Sequence, residues 1–180
     1  VPLGKLPGGI PVTSLVGGII RTYALDEKSG WQPDLDALEK EDLRRVKLMW
    51  TNYPNMPTGA PGSPGLFSRL VTFAREHNIL LVNDNPYSFI LNNEYHSLLS
   101  VKGAMDTALE LNSLSKSHNM AGWRIGMVAG CSEYIKTILK VKSNMDSGMF
   151  LPMQLAAAEA LQNPESWYDT VNLTYRERRV

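Results

Sequence analysis

Between residues 113 and 126 the chain places Ser113 and Ser115 just ahead of Lys116, and Arg124 shortly after it. A lysine amine held in a turn is a nucleophile suited to imine formation with an aldehyde or ketone. Two small hydroxyls and a planar guanidinium are groups that bind a phosphate monoester, and Arg can do so through two parallel hydrogen bonds. An aldehyde that carries a phosphate unites the two, so the stretch points to pyridoxal 5'-phosphate chemistry. A solvated surface turn with an isolated lysine would show the same residues, so the assignment needs further groups.

Two upstream segments supply them. Asp84 follows the apolar run Ile79, Leu80, Leu81 and Val82, and Tyr87 lies three positions on. An acid at the carboxyl end of a buried strand stands where open α/β sheets bind ligands. There it would keep a pyridine nitrogen protonated, making the ring an electron sink, and Tyr87 would bond the ring's phenolate oxygen. Alone, an Asp in this place is more often a turn former. The other segment, residues 52–59, carries Asn52, Asn55, Met56, Pro57, Thr58 and Gly59, a Pro- and Gly-marked loop after a second apolar run.

Taken together, Asp84, Tyr87, Lys116 and Arg124, with Gly122, Trp123, Ile125 and Gly126 around the arginine, resemble the class I/II aminotransferases of the aspartate aminotransferase-like superfamily, fold type I. The resemblance covers nearly the whole chain. It implies that Lys116 forms the Schiff base and shuttles the proton, that Asp84 pairs with the pyridinium nitrogen and that Tyr87 bonds the ring oxygen. Ser113, Ser115 and Arg124 would hold the phosphate. It also implies a cytoplasmic homodimer that moves an amino group from an amino acid to a 2-oxo acid. One position departs from the family. Where its loop has an asparagine before Pro-Thr-Gly, this chain has Met56, whose thioether is only a weak acceptor; Asn55 is expected to point elsewhere.

Two other enzyme chemistries use the same constellation: carbon–sulfur lyases and aminocyclopropane-carboxylate-type synthases. A third reading is the effector domain of a transcription regulator, which a winged-helix segment ahead of Val1 would reveal. Judged against the family, residues 1–180 form the central part of the large cofactor-binding domain. The amino-terminal segment and the small domain, with its carboxylate-binding arginine, would lie outside them.

The bulk properties agree with a soluble α/β domain. Eighteen basic residues balance eighteen acidic ones, which gives no reason to expect a nucleic acid or membrane partner. A single cysteine, Cys131, rules out an internal disulfide framework. His77, His96 and His118 share no metal-ligand spacing, and His118 reads as a solvated part of the turn. Trp123 reads as a core residue.

Strands are expected over residues 17–25, 46–50, 79–82, 107–111 and 124–129. Helices are expected from Pro33, from Ser63 as cap through residue 78, from Ser132 as cap, and over residues 154–162. Leu66, Leu70, Phe73 and Ala74 share one helical face. This alternation implies a mainly parallel sheet with helices on both faces, the three-layer sandwich of the fold type I large domain. Gly122 and Gly126 are expected where backbone passes close to a ligand or a strand. Met120, Met127, Met145, Met149 and Met153 are expected to fill a core or a dimer interface.

Overall fold

The computed structural model of the chain describes residues 9–92 and 94–179, so the opening segment at residues 1–5 lies outside them. Its centre is a four-stranded sheet in the order β1-β2-β3-β4. Strands β1 (Leu48–Thr51), β2 (Leu80–Asp84) and β3 (Ala108–Ser113) are parallel, and β4 (Gly126–Gly130) runs antiparallel to β3. Between β1 and β2 runs helix α3 (Pro64–Glu76), whose first turn is closed by Ser63 Oγ accepting from Leu66 N. Pro64 costs nothing there, because the amide it lacks has no partner in a first turn.

Helix α3 buries Leu66, Phe67, Leu70, Val71, Phe73 and Ala74 against Met49, Leu81 and Ala108 of the sheet. Phe67 and Leu70 are wholly removed from solvent. At roughly 1.5–3 kcal/mol for each large apolar side chain, this face anchors the crossover, and the expected apolar stripe is the one that is buried. The other helices are α1 (Gly9–Leu15), α2 (Leu35–Glu39), α4 (Ala104–Thr107), α5 (Leu114–Ser117), α6 (Ser132–Met145), α7 (Leu151–Ala160) and α8 (Glu165–Arg178).

Four expectations are corrected. Residues 17–25 form no ladder: Leu25 makes one antiparallel bridge to Pro33, and Ile19 is 80% exposed. An apolar run becomes a strand only where an edge pairs with it, and here none does among the described residues. Ser132 is the first residue of α6 rather than its cap, and Cys131 before it offers no side-chain bond. Trp123 is 47% exposed, on the short helical turn Ala121–Trp123, none of whose residues is buried. His118 is buried, at 6% exposure, rather than solvated. Of the methionines, Met120 is buried while Met127, Met145 and Met149 lie on the surface.

Antiparallel pairing of β3 with β4 makes residues 114–125 a long hairpin connection at the carboxyl end of β3. Its inner side is a small apolar cluster of Leu114, Met120 and Ile125, against which Met153, Ala157 and Ala160 of α7 pack. Gly126 is required where this connection re-enters the sheet: a Cβ there would stand 2.7 Å from Asn112 O. Gly122 faces open space instead.

Candidate active site

At the carboxyl ends of β2 and β3 the expected groups converge. Asp84 ends β2 and pairs in register with Leu111, two residues before β3 ends at Ser113. Its side chain lies on the face opposite Asn83, as strand alternation requires. The carboxylate is half-buried, and no hydrogen bond or ion pair satisfies it among the described residues. Burial pushes its pKa above the ordinary carboxylate range.

Lys116 belongs to α5, immediately after β3, and its Nζ is 6.0 Å from the centroid of the Tyr87 ring. At that distance the ring's negative face attracts an ammonium group. Ser113 caps α5, its Oγ accepting from Ser115 N at 3.1 Å and donating to Ser115 Oγ at 2.9 Å. The two hydroxyls are therefore one unit. Ser113 pairs with Gly126 in the ladder, two residues after Arg124, and its Oγ lies 3.4 Å from Ile125 O.

Arg124 has φ 55° and ψ 46°, the left-handed region. A non-glycine residue there costs roughly 1–2 kcal/mol, and such strain gathers where function fixes the backbone. One guanidinium nitrogen, Nη1, donates to Ala121 O at 3.0 Å, and the side chain is otherwise exposed.

A polar lattice that the sequence reading missed holds these strand ends in register. Asn83 Oδ1 accepts from Tyr53 N at 3.0 Å and from Thr51 Oγ1 at 3.1 Å, joining β2 to β1. Glu110 on β3 accepts from Asn83 Nδ2, Asn85 Nδ2 and Leu98 N. Asn52 Nδ2 donates to Asp84 O at 2.7 Å. The available signal was polar side chains, Asn83 and Glu110, interrupting apolar strands, since buried polar groups are kept only where they are bonded.

The loop that carries Met56 is held by its own asparagines. Asn55 is buried, donating to Asn52 O and accepting from Thr58 Oγ1, so its amide is turned into the loop. Met56 N donates to Asn52 Oδ1, while the Met56 side chain is 48% exposed.

Residues 10–179 match the family described as aminotransferase class I and II. The chain belongs to that family. It is 42% identical over 169 residues to the LL-diaminopimelate aminotransferase of Natranaerobius thermophilus, covering 93% of this chain and 44% of that protein. It is 44% identical over 177 residues to the enzyme of the same name from Desulforudis audaxviator, covering 95% and 45%. The chain thus spans less than half the length of the curated relatives it matches.

Solved structures agree on the fold. Substrate-bound BacF from Bacillus subtilis superposes with a TM-score of 0.91 at 32% identity, over 97% of this chain and 45% of that one. Thermus thermophilus aspartate aminotransferase with maleate superposes with a TM-score of 0.88 at 28% identity, over 98% and 47%. The fold is therefore the aspartate aminotransferase-like fold type I, a mainly parallel sheet flanked by helices.

Proposed function

We propose that this chain is the cofactor-binding part of a pyridoxal 5'-phosphate-dependent aminotransferase whose amino donor is LL-diaminopimelate and whose acceptor is a 2-oxo acid. The donor rests on the names of the relatives at about 42% identity. The observation that carries the chemistry is the convergence of an exposed lysine amine, a phenol 6.0 Å from it and a half-buried carboxylate on neighbouring strand ends.

The residues present fit the cofactor. A desolvated carboxylate with no protein partner is a poor structural element but a good acceptor for a cationic ring N–H. When bound, the group supplies an aldehyde that condenses with an amine and a ring that withdraws electrons. Asp84 holds a proton on the ring nitrogen. Lys116 Nζ would be the amine that holds the aldehyde and the base that takes the proton from the substrate's α-carbon and carries it to the cofactor's exocyclic carbon. Tyr87 would donate to the ring oxygen, to which the thioether of Met56 has no donor to offer. Ser113, Ser115 and Arg124 orient the phosphate, and Arg124 contributes the remaining N–H groups of its fork.

A homodimer is the assembly we infer, supported by the apolar surface of α6, α7 and the segment between them, where Met145, Phe150, Leu151 and Leu155 are each more than 60% exposed. The location we infer is cytoplasmic, supported by a single cysteine kept buried and free. Among the described residues no helix is long and apolar enough to cross a membrane.

The deciding experiment supplies the full-length protein and pyridoxal phosphate with LL-diaminopimelate and a 2-oxo acid. Formation of the amino acid corresponding to that oxo acid, in step with loss of the donor, is the expected result. Release of sulfide from cysteine, or of a free thiol from cystathionine, without amino transfer would overturn the reading in favour of a lyase.

A further inference from the structure

Helix α8 touches both loops that carry the reacting groups. Asn172, 4% exposed, donates from Nδ2 to Phe89 O at 3.0 Å and accepts at Oδ1 from Leu91 N at 2.8 Å. These bonds clamp the loop that follows Tyr87. Leu91 has φ 54°, the left-handed region, which a leucine enters at a cost of roughly 1–2 kcal/mol. The bond to Asn172 is what holds its amide there.

One turn earlier on the same helix face, Tyr168 stacks on Phe89 at 4.8 Å, with the rings 21° apart. Its hydroxyl lies 3.3 Å from His118 Nε2, and His118 Nδ1 lies 2.8 Å from Ser117 Oγ. Beside it, Trp167 Nε1 donates to Ser117 O at 3.0 Å. Ser117 and His118 are the residues that follow Lys116. A continuous path therefore runs from the Tyr87 loop through Phe89, Tyr168 and His118 to the lysine turn. It closes where Lys116 Nζ meets the Tyr87 ring.

We propose that Asn172 and Tyr168 are positioning residues, and that α8 sets the placement of Tyr87 relative to Lys116 by gripping the loop behind one and the turn behind the other. The proposal deepens the functional reading and rests on it for the roles of Tyr87 and Lys116. An alternative, that these bonds merely dock α8 onto the domain, explains the contacts but not a dependence on Tyr87.

The test is a double-mutant cycle of Asn172→Ala and Tyr87→Phe in the full-length protein, with Thr170→Ala on the exposed face of α8 as control. In cofactor-free protein, the rate at which a lysine-acylating reagent modifies Lys116 is followed by peptide mass mapping. In protein loaded with pyridoxal phosphate, the pH midpoint of the visible band of the lysine–cofactor linkage is read. Asn172→Ala is expected to change the labelling rate about twofold or more, and to move the midpoint by about half a pH unit or more. The midpoint change should largely vanish when Tyr87 is already Phe; the labelling change, which acts through the ring that Phe keeps, should vanish when Tyr87 is Leu. Amide exchange at Leu91 should accelerate.

If Asn172→Ala does not fold, the near-isosteric Asn172→Asp keeps the acceptor for Leu91 N, turns the donor to Phe89 O into an acceptor that repels that carbonyl, and should shift both readouts in the same direction. An equal midpoint effect of Asn172→Ala with and without the Tyr87 hydroxyl, or an equal labelling effect with and without the Tyr87 ring, would overturn the proposal, as would faster exchange at Leu91 with unchanged labelling and midpoint. Absence of any visible band would overturn the cofactor reading alone, because the labelling cycle is measured without cofactor.

Discussion

Asp84 and Asn52 are joined across two strands by the bond from Asn52 Nδ2 to Asp84 O, while the Asp84 carboxylate itself is left without a partner. The main chain of the acid is fixed and its side chain is kept available. That division predicts opposite effects of substitution with and without cofactor. Burial raises the Asp84 pKa, so the folded protein binds more protons than the unfolded chain above the ordinary carboxylate value of 3.8. Stability contributed by this group is therefore lost as pH rises through that window. In cofactor-free protein, Asp84→Asn is expected to leave the melting temperature at pH 7 unchanged or higher. With cofactor, turnover should fall by about 10²-fold or more. A clear loss of cofactor-free stability, seen by calorimetry, would contradict the unpartnered carboxylate.

Arg124 gives a second trade between strain and function. Its left-handed backbone suits glycine better than arginine. Arg124→Gly should change stability by no more than about 1 kcal/mol, in the favourable direction. Affinity for pyridoxal phosphate should drop because the guanidinium is gone. Equilibrium dialysis and denaturant melts on one preparation separate the two effects. Tight binding retained by the glycine variant would remove Arg124 from the phosphate site.

His118 supplies a pH dependence of opposite sign. Burial holds its pKa below the ordinary value of 6.5, against a smaller opposing contribution from the Ala160 backbone. The unfolded chain then binds more protons than the folded one below that value. The stability is fully present above about 6.5 and is lost as pH falls. Thermal melts between roughly pH 5 and 8 should show a slope that His118→Phe flattens. An identical slope in that variant would assign the dependence to another group.

Met56 stands where the resemblance leads one to expect an asparagine. Met56→Asn adds a donor beside an exposed loop position whose backbone N–H already bonds Asn52. The expected result is tighter cofactor retention with little change in stability. Unchanged retention in a dialysis series would mean that the loop does not face the ring oxygen.

Much of this was legible in the chain because it depends on local chemistry. The α3 stripe, the Ser63 cap and the three strands ending near Asp84, Ser113 and Thr51 follow from periodicity and capping residues. The family resemblance rested on side chains within short segments, and residues 10–179 match it. What escaped was long-range. The burial of His118 depends on Tyr168, fifty positions away, and the clamp on Leu91 depends on Asn172, eighty-one away. No local pattern announces either contact. The run at residues 17–25 misled for the same reason, since a strand needs an edge and its sequence cannot supply one.

The most direct test of the central claim is to load the full-length protein with pyridoxal phosphate, reduce it with borohydride and map the modified peptide by mass. One phosphopyridoxyl adduct is expected, on Lys116, lost in Lys116→Ala together with all but a trace of turnover. Modification of another lysine, or full activity in Lys116→Ala, would contradict it.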